Sequence, residues 1–272
     1  MTALAVRCED VVHLYRTGEE EVVALRGVDL DVAAGESLAL LGQSGSGKST
    51  LLTLLGGLQR PSAGRLWIGD DEITALGPAA LLALRANRVA TVVQGSARNL
   101  LPYATAAENI RFARRSLTRG ARRTATRPLD LLGSLGLASV ADRPVGLLSG
   151  GEQQRIAVAV AVANGAGLLL ADEPTSQLDV IARDAVLDVL DTVNRSGTTV
   201  VLVTHDPAVA ARATRQVRMR HGRVGEQRHG AGVVGPDGSI RLPESLLARW
   251  SPGTQVRVVE QDGQLRVSRT AP

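Results

Sequence analysis

Ser37-Leu38-Ala39-Leu40-Leu41 runs directly into Gly42-Gln43-Ser44-Gly45-Ser46-Gly47-Lys48-Ser49-Thr50, and these two segments together carry the topology of the chain. The first is a short continuous apolar run, the pattern of a strand buried on both faces in a parallel sheet. The second fits G-x-x-x-x-G-K-[ST] in full and opens a helix expected over 48–58, ended by Gly56-Gly57 and Pro61. Glycines let backbone wrap closely around phosphates, and successive N–H groups at a helix N-terminus hold negative charge. Lys48 is therefore expected to reach the β- and γ-phosphates of a nucleotide, and the Ser49 hydroxyl to ligate Mg²⁺.

That loop also holds the only lysine among 31 basic side chains; the rest are arginine. A compact ammonium with three donors is not interchangeable with a planar guanidinium at such a position.

Outward from the loop, residues 1–33 read as strands with a turn at Thr17-Gly18-Glu19. A helix is expected over 78–86 and a strand over 88–94. From about 95 to 165 the pattern is helical and loop-rich, with an arginine cluster over 114–127, as an insertion standing off a sheet would be. Two more buried strands are expected over 167–172 and 198–204, separated by a helix near 179–195. Strands alternating with helices predict an α/β fold with a mostly parallel sheet. A composition break over 221–236 reads as a linker. Beyond it come Ser239–Pro243, a short helix over 244–250, and runs at 254–261 and 264–268 joined by Asp262-Gly263, a hairpin signal.

The ends of the buried strands carry the chemistry. Asp172 and Glu173 close the run Leu168–Ala171; an acid at the mouth of a parallel sheet, beside a phosphate loop, suits the Mg²⁺ shell. Asp172 takes that role, and Glu173 is the candidate for polarising an attacking water. His205 ends the following strand, where it would face the γ-phosphate. Gln94 ends another, within reach of metal or water. Leu148-Ser149-Gly150-Gly151-Glu152-Gln153-Gln154-Arg155 offers a second surface for phosphate: Ser149 is a good N-cap, and the helix behind it presents a dipole and free N–H groups. One chain needs one such surface per nucleotide, so the second serves a nucleotide held by another copy.

With 272 residues, 44% of them hydrophobic, the chain can bury a full core, built mostly from Leu, Val and Ala because only five residues are aromatic. One cysteine, Cys8, excludes an internal disulfide and fits a reducing compartment. No signal-peptide pattern is visible, and the apolar runs are too short to span a bilayer. The expectation is a soluble or peripheral protein whose membrane function is borrowed from a partner. A net charge of +4 is weak evidence for nucleic acid and suits an anionic membrane face.

Over roughly residues 4–224 these motifs resemble the ABC ATPase family, which implies a P-loop NTPase core with an inserted α-helical subdomain (about 95–165) and an N-terminal antiparallel β part. The resemblance makes Gly42–Thr50 the Walker A loop, Gln94 the Q-loop and Leu148–Arg155 the signature. It makes Asp172 Walker B, Glu173 the catalytic glutamate, Ser176–Asp179 the D-loop and His205 the switch histidine. Tyr15 falls where this family stacks an aromatic ring on adenine. ATP and Mg²⁺ are the implied cofactors, bound through Gly42–Thr50 and, from the other copy of a homodimer, through Ser149, Gly150, Gly151 and Gln153.

Leu51–Leu58, Pro61, Asn99–Pro102 and Ala107–Ile110 are similar to the MacB/LolD-like branch, which implies a separate FtsX/MacB-type permease and a cytoplasmic, membrane-peripheral location. An FtsE-like regulatory ATPase, or a soluble ABC ATPase of DNA repair or translation, is the alternative. Two residues depart from the usual pattern: Gln177 in the D-loop, and Gly95-Ser96-Ala97-Arg98, which lacks an aromatic. The domain boundaries expected are 1–226 for the nucleotide-binding domain, 227–236 for a linker and 237–272 for a β-rich segment. That last segment resembles the AbrB/MazE-like fold and suggests dimerisation, with DNA an unlikely partner given its scattered arginines.

Overall fold

A computed structural model of the chain describes residues 2–18, 20–117 and 125–225, together with the short strands 233–234, 240–241, 256–261 and 264–269. It divides into two compact units, Met1–Gly225 and Glu226–Pro272.

In the first unit, β1 (Val6–Thr17) and β2 (Glu20–Val32) pair antiparallel across the expected turn, and β4 (Ala63–Ile68) with β5 (Asp71–Glu72) completes a four-stranded antiparallel sheet. The second sheet has the order β10-β9-β3-β8-β7-β6. Its strands are β3 (Ser37–Leu41), β6 (Val89–Val92), β7 (Leu168–Asp172), β8 (Thr199–Thr204), β9 (Arg215–Arg220) and β10 (Arg223–Gly225). All its pairings are parallel except β9–β10.

Period-two alternation splits the side chains of this sheet between two cores. Leu38, Leu40, Leu168, Leu170, Val201 and Val203 pack with the antiparallel sheet and with α1 (Lys48–Leu55). Ala39, Leu41, Leu169, Ala171, Val200 and Leu202 face the opposite side. There they meet α3 (Ala106–Ala113), α4 (Pro128–Ser134), α5 (Gly150–Ala161) and α6 (Val180–Arg195). Burial on both faces is why the strands read as unbroken apolar runs. Two further helices, α2 (Pro78–Asn87) and the short α7 (Pro207–Ala210), complete the unit.

Several boundaries differ from the sequence expectation. α1 ends at Leu55, not Leu58: Gly56 caps it and Gly57 turns left-handed at φ 62°. β6 stops at Val92 because the Asn99 side chain takes both the N–H and the carbonyl of Val93, removing them from the ladder. The stretch 221–236 does not begin as a linker, since β9 and β10 form a hairpin that turns at His221-Gly222. The arginine cluster lies in part outside the described residues, which omit 118–124. Among the described residues no helix is long and apolar enough to cross a membrane.

In the second unit β11 (Val233–Val234) pairs antiparallel with β12 (Ile240–Arg241), and β13 (Val256–Gln261) with β14 (Gln264–Arg269). The last pair closes from Gln261↔Gln264, as the Asp-Gly turn predicts, although its first strand begins two residues after Thr254. The helix expected over 244–250 lies outside the described residues, as does most of the linker expected over 227–236.

Candidate functional site

Register sets the site. Leu41 of β3 pairs with Thr204 of β8, Val203 of β8 with Asp172 of β7, and Ala171 of β7 with Val92 of β6. The four strands therefore end along one edge, and Gly42–Ser49, His205, Glu173 and Gln94 all leave from it. The carboxyl edge of a parallel sheet is where α/β folds bind ligands.

The loop after β3 is held from both sides. Gly42 donates its N–H to the Thr204 carbonyl at 3.4 Å, and Gly222 of the β9–β10 hairpin donates to the Ser46 carbonyl at 3.0 Å. A Cβ on Gly42 would stand 2.4 Å from the Met219 carbonyl oxygen, and one on Gly47, at φ 98°, 2.6 Å from that of Ala24. Only glycine permits this packing. Lys48 is buried, and its Nζ donates to the carbonyls of Gly42 (2.8 Å) and Gln43 (2.9 Å), arching back over the loop with a third donor to spare. Burial lowers its pKa, opposed by the charges of Glu173 and Asp172. Ser46 Oγ is buried with no hydrogen-bond partner in the chain, an orphaned polar atom inside the cradle. Gln43, Ser44 and Gly45 are exposed at its rim.

Ser49 donates its hydroxyl to Asp172 Oδ1 at 3.1 Å. Burial raises the Asp172 pKa; the Ser49 bond and Lys48 oppose the rise and Glu173 adds to it. Two hard oxygens with a half-buried carboxylate fit Mg²⁺, which favours one or two protein oxygens completed by phosphate and water. Among the described residues no group of three or more His, Cys, Asp or Glu side chains gathers for a metal. Gln94 is exposed two residues beyond β6; Asn99 pins its flanks through Val93 and Gly95. This clamp depends on the Asn99 side chain folding back on its own segment, which no local pattern marks.

Glu173 adopts φ 46°, a left-handed backbone rare for a side chain of this size, fixed by its N–H to the Val203 carbonyl at 3.0 Å. Its Oε1 lies 2.9 Å from His205 Nδ1. Gln177 is left-handed too, at φ 64°, a conformation that suits glycine better. Tyr15 on β1 donates its hydroxyl to Thr50 Oγ1 at 3.4 Å, at the start of α1, and keeps about a third of its surface open.

Ser149 caps α5, and Glu152 completes a capping box: Ser149 Oγ accepts from the Glu152 N–H and donates to Glu152 Oε2 at 2.8 Å. These bonds hold the Glu152 carboxyl below the usual range. Gly151 lets α5 seat against α6, since a Cβ there would meet Ala182 Cβ at 2.7 Å. Ser149 and Gly150 are exposed. No hydrogen bond among the described residues joins Ser149–Gln153 to Gly42–Ser49. Gln153 is engaged within the chain instead, donating to the Leu148 carbonyl and accepting from Ser96 Oγ at 2.9 Å.

The sequence profile of the family described as ABC transporter matches residues 25–176. The chain is 41% identical over 221 residues to the lipoprotein-releasing system ATP-binding protein LolD of Granulibacter bethesdensis, covering 81% of this chain and 96% of that protein. It is 42% identical over 228 residues to the macrolide export ATP-binding/permease protein MacB of Hyphomonas neptunium, covering 82% of this chain but 34% of that protein. The chain thus spans about a third of the length of its MacB relatives. Among solved structures, a dimeric ATP-binding cassette in a post-hydrolysis state bound to ADP and Pi superposes with a TM-score of 0.70 at 36% identity, covering 81% of this chain and 97% of that one.

Proposed function

The chain belongs to the ABC transporter family, and from that premise we propose that it is the ATP-binding and ATP-hydrolysing subunit of a transporter, acting as a homodimer on a separate FtsX/MacB-type permease. One observation carries this reading: Glu173 and His205 meet at 2.9 Å beside the Ser49–Asp172 pair, at the mouth of the Gly42–Ser49 loop. The nucleotide lies along that loop, its phosphates held by backbone N–H groups and Lys48, its adenine on Tyr15. Ser49, Asp172 and Gln94 would hold Mg²⁺, which would supply neutralisation of the phosphate charge. Glu173 accepts a proton from the attacking water, and His205 orients Glu173 and faces the γ-phosphate.

The chain supplies positioning and charge, which is most of what phosphoryl transfer to water requires. Ser149, Gly150 and Gly151 complete the site of the opposite copy. To do so the Ser149 hydroxyl turns from Glu152 toward the phosphate. Gln153 contributes indirectly, by tying the capped turn to the loop behind Gln94.

Tyr103 and Leu147 are exposed apolar residues on segments joined by the Gly146 N–H to the Pro102 carbonyl, and they offer the permease a foothold. The protein is accordingly cytoplasmic and peripheral to the membrane. We infer that the second unit, which carries two antiparallel strand pairs, is an AbrB/MazE-like dimerisation segment; its scattered arginines argue against DNA as its partner.

The shared site is tested by mixing. Lys48→Ala disables a copy's own phosphate loop, and Ser149→Arg the opposite copy's; each alone is inactive, and mixed dimers with one intact composite site regain partial activity. Wild-type turnover by purified Ser149→Arg protein excludes the shared site.

A further inference from the structure

His13 is only 7% exposed, and its Nδ1 has no hydrogen-bond partner in the chain. A buried polar atom left unpaired costs stability that a leucine of similar size would not, so its presence calls for an explanation. Its surroundings engage the ring rather than that nitrogen, and two features show how. The β1–β2 register shifts on both sides of His13, between Val11 and His13 and again between His13 and Leu14. Irregularities of this kind re-aim side chains along a strand. The side chain so placed meets Tyr15: the two rings lie 4.8 Å apart at 89°, a perpendicular contact.

Tyr15 has little else to fix it. Its hydroxyl reaches Thr50 Oγ1 at 3.4 Å, a long bond, and about a third of the residue is open to solvent. A flat ring that stacks on a base must be held in one plane before the base arrives, or binding must supply the ordering. A perpendicular neighbour fixes that plane while leaving at least one face of Tyr15 free, and aromatic pairs prefer this geometry.

We propose that His13 is a positioning residue for the nucleotide base: its ring sets the plane of Tyr15 and so determines how tightly the chain holds the base, independently of the phosphates. The inference rests on Tyr15 being the residue on which the base stacks.

The test compares ATP with inorganic tripolyphosphate, which lacks a base, by calorimetric titration of the full chain with Mg²⁺. His13→Leu weakens ATP binding about threefold to tenfold and leaves tripolyphosphate unchanged, whereas His13→Phe, which keeps an aromatic ring, stays within about twofold of wild type for both. Should the leucine variant not fold, His13→Gln makes the same comparison. Tyr15→Ala separates the two levels of the argument. If it weakens ATP binding and His13→Leu does not, His13 has no positioning role and the reading of Tyr15 stands. If Tyr15→Ala leaves ATP binding unchanged, the stacking assignment fails and this inference with it. Equal losses for ATP and tripolyphosphate in His13→Leu, or failure of His13→Phe to restore ATP binding, overturn the proposal.

Discussion

His205 Nδ1 stands 2.9 Å from Glu173 Oε1, although the Glu173 side chain is 14% exposed and that of His205 68% exposed. A sheltered carboxylate thus has one nitrogen fixed on it from the solvent side, which leaves its other oxygen available to a water. Glu173→Gln keeps the shape and an oxygen for His205 but removes the base. Phosphate release should fall by roughly 10²–10⁴-fold while ATP binding persists. Gel filtration with ATP should then show a trapped dimer. Turnover near the wild-type rate removes Glu173 from its assigned role.

Gly222 tests the brace under the phosphate loop. Its φ is 75°, and a Cβ there would stand 2.5 Å from the Ala24 carbonyl oxygen. Gly222→Ala should cost about 2 kcal/mol or more, from the left-handed backbone and the clash together. Because the Gly222 N–H holds the Ser46 carbonyl, ATP affinity should fall as well. An unchanged melting temperature means the hairpin does not brace the loop.

Asp172 gives a pH signature. Burial raises its folded pKa above the unfolded value of 3.8, so the native state favours the neutral acid. Its contribution to stability is present below that value and is lost as pH rises through the folded pKa. Without nucleotide, Asp172→Asn should therefore melt higher than wild type at pH 7, and the gap should close as pH falls toward 3.8. Mg²⁺ with ATP should raise the melting temperature of wild type more than that of the variant. An Asp172→Asn protein less stable than wild type at pH 7 contradicts the sign.

The second unit can be removed after Gly225, where β10 ends. The truncated chain should bind ATP normally per monomer, while sedimentation without nucleotide shows a weaker dimer than the full chain forms. Equal monomer fractions in the two proteins dismiss the dimerisation role.

The parallel core was legible because Ser37–Leu41, Leu168–Ala171 and Thr199–Val203 are buried on both faces and so read as unbroken apolar runs. Gly42–Ser49, Asp172–Glu173 and His205 leave from the ends of those runs, so their common sheet edge was legible, whereas Tyr15, Gln94 and Ser149–Gln153 lie on other segments. What escaped depended on partners distant in sequence. Nothing local marks β6 as ending at Val92, since the cause is Asn99 folding back on Val93. His221 and Gly222 sit in glycine-rich sequence that resembles a linker, yet Gly222 packs beside Ala24 and bonds Ser46, both more than 170 residues earlier in the chain. Local sequence likewise does not mark the bond by which Ser96, in another segment, engages the amide oxygen of Gln153. The left-handed backbone of Glu173 and Gln177 runs against local preference, as happens where a site rather than a propensity dictates geometry.

Lys48 has a further consequence. It is the one side-chain amine in the chain, it lies inside the loop, and its pKa is lowered by burial. More of it is the free base at a given pH than of an ordinary lysine, and acylating reagents attack only that form. An amine-directed fluorescent ester thus has one side-chain address in this chain, distinguishable from the α-amine by peptide mapping. The labelling rate of the Lys48 peptide alone then reports occupancy of the loop, with no tag or engineered residue.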